Sequence, residues 1–282
     1  MIHGISDIDL HGVDSGRKTF MSILILSEKD VEACISMREV IELVEAGIKA
    51  LGEGKAIQPG KIYMDIPKYD GFIKPMTAYI ETMDVAATKI FSLYKANPPR
   101  YNLPSVFSII ELHNPKTGVP KAIMAGGYIT AVRTAAASAV AAKYLAKSDS
   151  KRVGIIGAGV QGRSHLLALN ELFEIEEVKV FDVSEAARKK YVEEMSKLSG
   201  AKVTPVGGPR EAVEETDVAV VATTANEPLL MKGWVKPGCL IAKIGSFQEL
   251  DPETLLSVDK LVVDSWEYIA MRVPEAKMLI KE

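Results

Sequence analysis

Two patterns of apolar and polar positions divide this sequence, and the first covers residues 21–129. Short alternating or apolar stretches separated by Gly, Pro and Asn predict six strands, at residues 23–26, 61–66, 71–79, 85–94, 105–112 and 120–124. Ser27 is placed to cap a short helix, and apolar positions at helical spacing predict a longer helix over residues 37–51. Because these strands and helices do not alternate, the pattern indicates an α+β sheet domain.

The second pattern begins at residue 151 and alternates apolar stretches with helical ones. It predicts helices over residues 184–198 and 209–215, and strands at residues 152–156, 177–181, 201–204, 217–222, 239–244 and 260–264. Strands joined by helices are typical of an α/β fold with a parallel sheet, here a Rossmann domain over residues 151–282. A small-residue helix connects the domains over residues 130–150, with Thr130 as its expected N-cap. Residues 1–20 are polar and are expected to form a weakly ordered extension.

The composition is that of a globular protein with two domains. The chain has 282 residues, 48% of them hydrophobic and 25% charged, and a net charge of -3. Neither nucleic-acid binding nor attraction to a membrane surface is therefore expected, and no apolar stretch is long enough to span a membrane. Cys34 and Cys239 lack CxxC spacing and the histidines are scattered, which predicts a reducing, cytoplasmic location and no metal site.

The segment RVGIIGAGVQGR, residues 152–163, carries the clearest chemical signal. Its strand ends at Gly157, and Gly159 and Gly162 follow where a helix begins, which is the GxGxxG spacing of a dinucleotide-binding turn. In such a turn Gly157 permits the bend, Gly159 lets the backbone approach a pyrophosphate, and Gly162 allows helix and strand to pack closely. The amides expected to hold the phosphates belong to Val160, Gln161 and Gly162.

Polar residues at the ends of later strands extend this expectation. Asp182 stands 25 positions after Gly157, where an acid bonds the ribose hydroxyls of NAD and repels the 2′-phosphate of NADP. Other strand ends lie on the edge of the sheet where open α/β proteins bind ligands, and they carry Thr223, Gly245 and Ser246. NAD is therefore the expected cofactor. NADP is the alternative, because Arg188 lies more than a turn beyond Asp182.

Two basic residues stand in unusual positions. Lys89 lies at the centre of an apolar strand. Because burying an unpaired ammonium is costly, Lys89 either reaches solvent from an edge strand or points into a polar cavity. Arg133, followed by Thr134, is expected near the first turn of the connecting helix, where the helix dipole disfavours a cation unless an anion binds there. A solvated Arg133 is the alternative.

Five motifs in order, ATKIFSLY, TAVRTAA, GAGVQG, WVKPG and ELDPE, resemble the ornithine cyclodeaminase and mu-crystallin family, which includes an archaeal type of alanine dehydrogenase. The resemblance covers the chain from about Met21 onward. It implies a homodimer in which an N-terminal sheet domain forms the substrate site and the dimer contact, beside a Rossmann domain. It also implies NAD(P)-dependent hydride transfer on a small α-amino or α-imino acid, as in amino-acid dehydrogenases and cyclic ketimine reductases.

The resemblance assigns roles to individual residues. Lys89 matches the family's active-site lysine beside substrate and nicotinamide, where it can hydrogen-bond the reacting centre and move a proton. Arg133 and Thr134 match a pair that engages the substrate carboxylate or the cofactor phosphate. Lys61 and Lys74 match basic residues that help hold the carboxylate. Arginine is more usual at the position of Lys74, and its replacement by lysine loses bidentate geometry.

Departures from the family pattern bear on the reaction. Ornithine cyclodeaminases have an acid/base aspartate in a GADxPGKxEL-like segment, whereas GSFQEL, residues 245–250, has none, and Ala125 stands where many relatives have an acid. A dehydrogenase or reductase is therefore favoured over ornithine cyclodeaminase. A non-catalytic, crystallin-like nucleotide-binding protein is the other alternative. Relatives also continue beyond the last residue of this sequence, which indicates either a shortened member or an incomplete chain.

Overall fold

The computed structural model describes residues 22–60, 62–245 and 248–266. The predicted extension over residues 1–20, Lys61 and Ser246 lie outside these residues. The chain divides into two compact units, an N-terminal unit, Met1–Arg133, and a C-terminal unit, Thr134–Glu282. The boundary falls within the segment predicted to be the connecting helix.

The N-terminal unit is built on a mixed sheet of seven strands with helices, as the pattern predicts. Its elements are β1 (Leu24–Leu26), α1 (Glu28–Cys34), α2 (Met37–Gly52), β2 (Ala56–Ile57), β3 (Met64–Ile66), β4 (Gly71–Ile80), β5 (Val85–Tyr94), α3 (Asn97–Tyr101), β6 (Val106–His113), β7 (Pro120–Ala125) and the start of α4 (Gly127–Leu145). The strand order is β1-β7-β6-β5-β4-β2, with β3 paired to β4. All pairs are antiparallel except β1 with β7. The sequence analysis missed β2 and α3, which are only two and five residues long.

Side-chain oxygens begin the first two helices. The Ser27 hydroxyl accepts a hydrogen bond from the Asp30 amide at 3.3 Å, and the Asp30 carboxylate accepts one from the Ser27 amide at 2.9 Å. Ser36 and Glu39 repeat this capping box at the start of α2. The predicted cap at Ser27 is confirmed, because the serine satisfies an amide that has no partner within the helix.

The long hairpin of β4 and β5 fixes which residues share a face of the sheet. Lys74 pairs with Phe91 and Met76 pairs with Lys89. Since directly paired residues point to the same face and alternate residues of a strand do too, Lys74, Lys89 and Phe91 share one face. Ser108 joins them, because it pairs with Phe91 from β6.

The prediction that Thr130 caps the connecting helix is wrong. Helix α4 begins at Gly127, and the Thr130 amide donates to the carbonyl of Gly126 at 2.9 Å within its first turn. The capping oxygen comes from a distant residue, since the Glu28 carboxylate accepts a hydrogen bond from the Tyr128 amide. The Thr130 hydroxyl instead lies 3.0 Å from the Ser108 hydroxyl. Arg133 consequently lies near the end of the second turn of α4 rather than in its first.

The C-terminal unit has the predicted Rossmann architecture. After the rest of α4 come β8 (Arg152–Ile156), α5 (Val160–Asn170), β9 (Glu177–Phe181), α6 (Glu185–Ser199), β10 (Lys202–Pro205), α7 (Pro209–Val213), β11 (Val218–Val221), β12 (Leu240–Lys243) and α8 (Pro252–Leu256). The strands form a parallel sheet in the order β10-β9-β8-β11-β12. The direction of winding changes between β8 and β11, where such sheets bind ligands.

One predicted strand of this unit, at residues 260–264, is wrong, because these residues form no strand. The apolar run there favours an extended conformation, but a strand also needs a neighbour with which to form hydrogen bonds. Leu261 and Val262 are exposed, and no strand within the described ranges pairs with them.

The core of the C-terminal unit consists of the apolar side chains of its strands. Val153, Ile155, Val178, Val180 and Val220 are all completely buried, as expected for a parallel sheet covered by helices on both faces. Within the described part of the chain, no helix is long and apolar enough to cross a bilayer.

Candidate active site

The first two glycines of the fingerprint, Gly157 and Gly159, have different requirements. Gly157 has a φ of 108°, and a Cβ there would lie 2.4 Å from the carbonyl oxygen of Ala222, at the end of β11. At Gly159, in contrast, a Cβ would meet nothing within 4 Å. Gly157 is therefore required by the fold itself, whereas the fold leaves open space beside Gly159, as the predicted approach of a ligand requires.

The third glycine, Gly162, and the start of α5 complete the loop. A Cβ on Gly162 would lie 2.1 Å from the carbonyl oxygen of Gly157, so helix and strand pack as closely as the fingerprint predicts. No side chain of the described residues caps α5, which follows Gly159 and begins with Val160. The Gln161 side-chain oxygen is buried and has no hydrogen-bond partner among those residues. The amides and this oxygen suit a dinucleotide, so the residues present fit the expected cofactor.

Asp182 lies beside this loop. Its carboxylate accepts hydrogen bonds from the Ala158 amide and the Ser184 amide, both at 2.9 Å. These bonds fix both carboxylate oxygens at the edge of the sheet. Arg188 donates to the backbone carbonyl of Asp182, and its guanidinium lies 5.9 Å from the centroid of the Phe181 ring. Arg188, the residue that made NADP the alternative, is thus held against the backbone.

Arg163 on α5 and Tyr191 on α6, two residues that the sequence analysis did not single out, connect the glycine loop to α6. Arg163 donates to the carbonyl of Ala158 and, at 2.7 Å, to the carboxylate of Glu194. The buried Tyr191 hydroxyl donates to the carbonyl of Gly162 at 3.1 Å, and burial raises the pKa of this phenol. The sequence shows that Arg163 ends the loop segment, but only the fold shows that it bonds Glu194 on α6.

Glu249 is a further residue that sequence reasoning missed. It is completely buried, and its Oε1 accepts hydrogen bonds from the Thr223 amide at 2.7 Å and the Thr223 hydroxyl at 2.8 Å. Lys243 Nζ lies 3.9 Å from Glu249 Oε2 and donates to the carbonyl of Gly245 at 2.8 Å. A Cβ on Gly245 would lie 2.3 Å from that same Oε2. One carboxylate thus joins the ends of β11 and β12, where Thr223 and Gly245 were expected to contact cofactor.

In the N-terminal unit, Lys74 and Lys89 form a half-buried basic site on one face of the sheet. The ammonium of Lys89 lies 3.5 Å from the Thr130 hydroxyl and 5.7 Å from the centroid of the Phe91 ring. That of Lys74 donates to the Tyr63 hydroxyl at 3.2 Å. Lys89 therefore belongs to a central strand with polar neighbours, not to the edge strand that was the alternative interpretation.

Arg133 lies on α4, the helix that also carries Thr130. It follows Thr130 by three residues, so the two side chains leave the same side of the helix. The Thr130 hydroxyl contacts Ser108 and Lys89. Arg133 thus shares a helix side with the residue that contacts Lys89, and Thr134 is the next residue of the helix.

His165, on α5, serves structure rather than chemistry. It is completely buried, its Nδ1 lies 2.7 Å from the carbonyl oxygen of Gln161, and its Nε2 lies 3.0 Å from the Ser138 hydroxyl. Burial lowers its pKa from 6.5 to about 4, although the Gln161 carbonyl raises it in part.

This shift predicts a loss of stability in acid. Between pH 6.5 and 4 the unfolded chain binds a proton that folded His165 does not, so stability is full above pH 6.5 and is lost as the pH falls. The loss reaches about 2 kcal/mol at pH 5 and about 3 kcal/mol below pH 4. Urea unfolding of the protein and of His165→Gln at pH 7 and 5 measures it. The variant should lose less stability than the parent, whereas His113→Gln, at the partly exposed end of β6, should lose as much. Equal losses in all three proteins would contradict the assignment.

Comparison with known proteins gives the relationship of this chain. Residues 21–272 match the model of the ornithine cyclodeaminase/mu-crystallin family. An alanine dehydrogenase of Archaeoglobus fulgidus is 38% identical over 251 residues, which are 88% of this chain and 75% of that protein. A ketimine reductase mu-crystallin of Macropus fuliginosus is 32% identical, with 86% of this chain and 78% of that protein covered.

Solved structures show the same relationship. The Thermococcus litoralis Δ1-pyrroline-2-carboxylate reductase, in complex with NADH and L-proline, has a TM-score of 0.88 and 45% identity, and the match covers 92% of this chain and 81% of that one. An archaeal alanine dehydrogenase dimer with bound NAD has a TM-score of 0.83 and 35% identity, with 92% and 79% covered. The resemblance of the sequence motifs is confirmed. The chain belongs to the ornithine cyclodeaminase/mu-crystallin family.

Proposed function

We propose that this protein is an NAD-dependent oxidoreductase that reduces a small cyclic α-imino acid, with Δ1-pyrroline-2-carboxylate and L-proline as the first pair to test. The observation that carries the proposal is the pair of ammonium groups on one face of the N-terminal sheet, in a chain whose other unit has a complete dinucleotide loop. The relative with 45% identity was solved with NADH and L-proline. Two further relatives are named for an α-amino acid and for an imine, as alanine dehydrogenase and ketimine reductase.

The C-terminal unit would hold the cofactor. The amides that begin α5, at Val160, Gln161 and Gly162, would bind the pyrophosphate, and Asp182 would bind the ribose. Thr223, Gly245 and the adjacent Ser246 would contact the nicotinamide half, since they follow β11 and β12. When bound, the nicotinamide supplies the hydride chemistry.

The N-terminal unit would hold the substrate. Lys74, Arg133 and Lys61 would attract the carboxylate, with Thr134 as a polar neighbour, and Lys89 would add a further positive charge and donate a proton to the imino nitrogen. A protonated imino group accepts hydride at carbon more readily than a neutral one, so one proton and one hydride convert the imine to the amine. The ammonium of Lys89 is suited to this role, because a half-buried cation hydrogen-bonded to Thr130 is fixed in direction.

Both alternative functions receive less support. The cyclodeaminases have an acid/base aspartate that GSFQEL, residues 245–250, lacks. Relatives that carry the crystallin name are themselves named ketimine reductases, which removes the main reason for a non-catalytic interpretation.

The opposite face of the N-terminal sheet supports a homodimer. Met64, Phe107 and Ile109 are 54%, 45% and 45% exposed, and strand pairing with Ile73, Ser92 and Ile90 puts them on the face away from Lys89. Exposed apolar side chains of this size favour association, and the archaeal alanine dehydrogenase was solved as a dimer. Sedimentation equilibrium measures the oligomeric state, and a monomer at micromolar concentration would reject the homodimer. The cytoplasmic location stays a prediction.

The proposed activity predicts that NADH absorbance at 340 nm falls when Δ1-pyrroline-2-carboxylate is added to the purified protein, and that L-proline with NAD gives the reverse change. NADH should be used at least about 10-fold better than NADPH, because Asp182 repels a 2′-phosphate. Incubation of L-ornithine with NAD and an ammonia assay is the control for cyclodeamination. No turnover with any amino, keto or cyclic imino acid, in a sample that binds NADH, would reject the oxidoreductase assignment.

A further inference from the structure

Lys74 poses a physical problem for carboxylate recognition. A lysine ammonium is a point charge on a flexible four-carbon stem, whereas the arginine usual at this position offers a rigid fork of donors. A carboxylate binds more tightly to a charge whose position is fixed before binding, because ordering a long side chain costs free energy. The surroundings of Lys74 should therefore show what fixes it.

Three aromatic rings surround the Lys74 ammonium. Its Nζ lies 5.0 Å from the ring centroid of Tyr63, 5.0 Å from that of Phe91 and 5.7 Å from that of Phe72. It also donates a hydrogen bond to the Tyr63 hydroxyl at 3.2 Å. We call Tyr63, Phe72 and Phe91 the aromatic box. All three rings lie within the about 6 Å over which the negative face of an aromatic ring attracts a cation.

The rings also hold one another. The centroids of Tyr63 and Phe72 are 5.2 Å apart with the planes tilted by 56°, and those of Phe72 and Phe91 are 6.0 Å apart with a tilt of 31°. These distances are in the range in which aromatic pairs attract. The box is thus a connected wall, and a change in one ring affects the support of the others.

Phe91 belongs to both ammonium groups. Its centroid is 5.0 Å from Lys74 Nζ and 5.7 Å from Lys89 Nζ. On β5 it is two residues from Lys89, and on β4 its direct partner is Lys74. The Phe91 ring attracts the ammonium groups of Lys74 and Lys89. It can therefore hold two like charges near each other without an acidic side chain. A carboxylate in place of the ring would neutralise the charges that the substrate requires.

We propose that Tyr63 and Phe91 are positioning residues that hold the two ammonium groups for the substrate carboxylate, an inference that rests on the function proposed above. Tyr63 fixes Lys74 through ring and hydroxyl, and Phe91 fixes the spacing of Lys74 and Lys89. The aromatic box restricts the side chain of Lys74, so that the lysine presents a fixed charge as an arginine does without such a box. Its rings also give an apolar wall that favours the ring of a cyclic imino acid over a charged side chain.

The inference predicts an effect on carboxylate binding and not on the cofactor. In the protein saturated with NADH, Tyr63→Phe should weaken calorimetric binding of pyrrole-2-carboxylate, a planar analogue of the imino acid, about 10-fold. Phe91→Leu should weaken it further, since it loosens both ammonium groups. KM for the imino acid should rise in parallel, while the Kd of NADH and the Tm change little.

Matched controls separate this role from a general loss of aromatic packing. Tyr69→Phe alters another tyrosine of the N-terminal unit that has a lysine over its ring, Lys68 at 5.1 Å, but is 55% exposed. Phe173→Leu removes a ring that packs against the core of the C-terminal unit. Both controls should bind the analogue as the parent does. An equal loss in the controls and the box variants would overturn the inference.

The decisive test introduces the arginine. In a Lys74→Arg background, adding Tyr63→Phe should weaken analogue binding less than about 2-fold, because the guanidinium needs no box to fix it. A 10-fold loss in both backgrounds would show that Tyr63 acts on the ligand directly and would overturn the positioning role. Parent protein that binds the analogue tightly but shows no turnover would reject the proposed reaction and leave the box measurable. Parent protein that binds no carboxylate would overturn both.

Discussion

Lys89→Met is expected to lower kcat/KM for imino-acid reduction about 1,000-fold while the Kd of NADH stays within about 2-fold of the parent value. Methionine keeps much of the length and the apolar stem of lysine, but it has no positive charge and no proton that it can donate. The variant should therefore fold, because Lys89 lies on a central strand whose pairs with Met76 and Ile110 involve only the backbone. The loss has two parts, the proton for the imino nitrogen and one of the positive charges that attract the carboxylate.

The two parts of this loss can be measured separately. Lys89→Arg keeps a positive charge but cannot release a proton at neutral pH, so KM should rise less than in Lys89→Met while kcat stays low. Lys121→Met, on an exposed position of β7, is the control and should have parental kinetics. Retention of more than about a tenth of kcat in both Lys89 variants would remove this residue from the chemistry.

The alternation of side chains shows why Lys89 could be predicted and the aromatic box could not. An apolar stretch of ten residues gave β5 with its observed bounds, Val85–Tyr94, and a lysine inside it required an explanation. The partners of Lys89 were hidden, because the register that puts Lys74 opposite Phe91 is set by the hairpin turn and by packing. The role of Tyr63 could not be predicted for the same reason. Tyr63 precedes β3 and contacts Lys74 only because β3 pairs with β4.

The cap of α4 and the role of Glu249 show a second limit. Local sequence offered Thr130 as an N-cap, but Glu28, 100 residues before Tyr128, caps the helix and leaves the threonine hydroxyl for Ser108 and Lys89. Local preference identifies residues able to cap, and tertiary contacts decide which one does. The sequence analysis included Glu249 only as part of the segment GSFQEL, without a role of its own. Its burial against Thr223 and Gly245 depends on two strand ends that are neighbours only in the folded sheet.

The glycine loop, in contrast, was predictable almost completely, because its requirements are local. A turn from strand to helix needs the positive φ that Gly157 adopts, and close packing of α5 on β8 excludes a side chain at Gly162. Gly159 differs, because nothing in the protein occupies the space beside it. This difference turns the fingerprint into a test of cofactor binding.

Gly159→Ala is expected to leave the Tm of the protein within about 2 °C of the parent value and to weaken NADH binding at least about 30-fold. Its φ of -83° is favourable for alanine, and the new methyl group would meet no atom of the protein within 4 Å. The methyl group instead takes the space in which the pyrophosphate would approach the amides of α5. Fluorescence titration with NADH and a thermal melt measure the two quantities.

Gly157→Ala is the matched change at the other end of the loop and should behave in the opposite way. Its Cβ would lie 2.4 Å from the Ala222 carbonyl oxygen, at a φ of 108° that alanine rarely adopts, so the strand end must shift and the protein loses several kcal/mol of stability. NADH affinity then falls together with stability, whereas in Gly159→Ala it falls alone. If Gly159→Ala binds NADH as well as the parent does, the pyrophosphate does not lie at this loop. The new methyl group would fill the space that the pyrophosphate needs there.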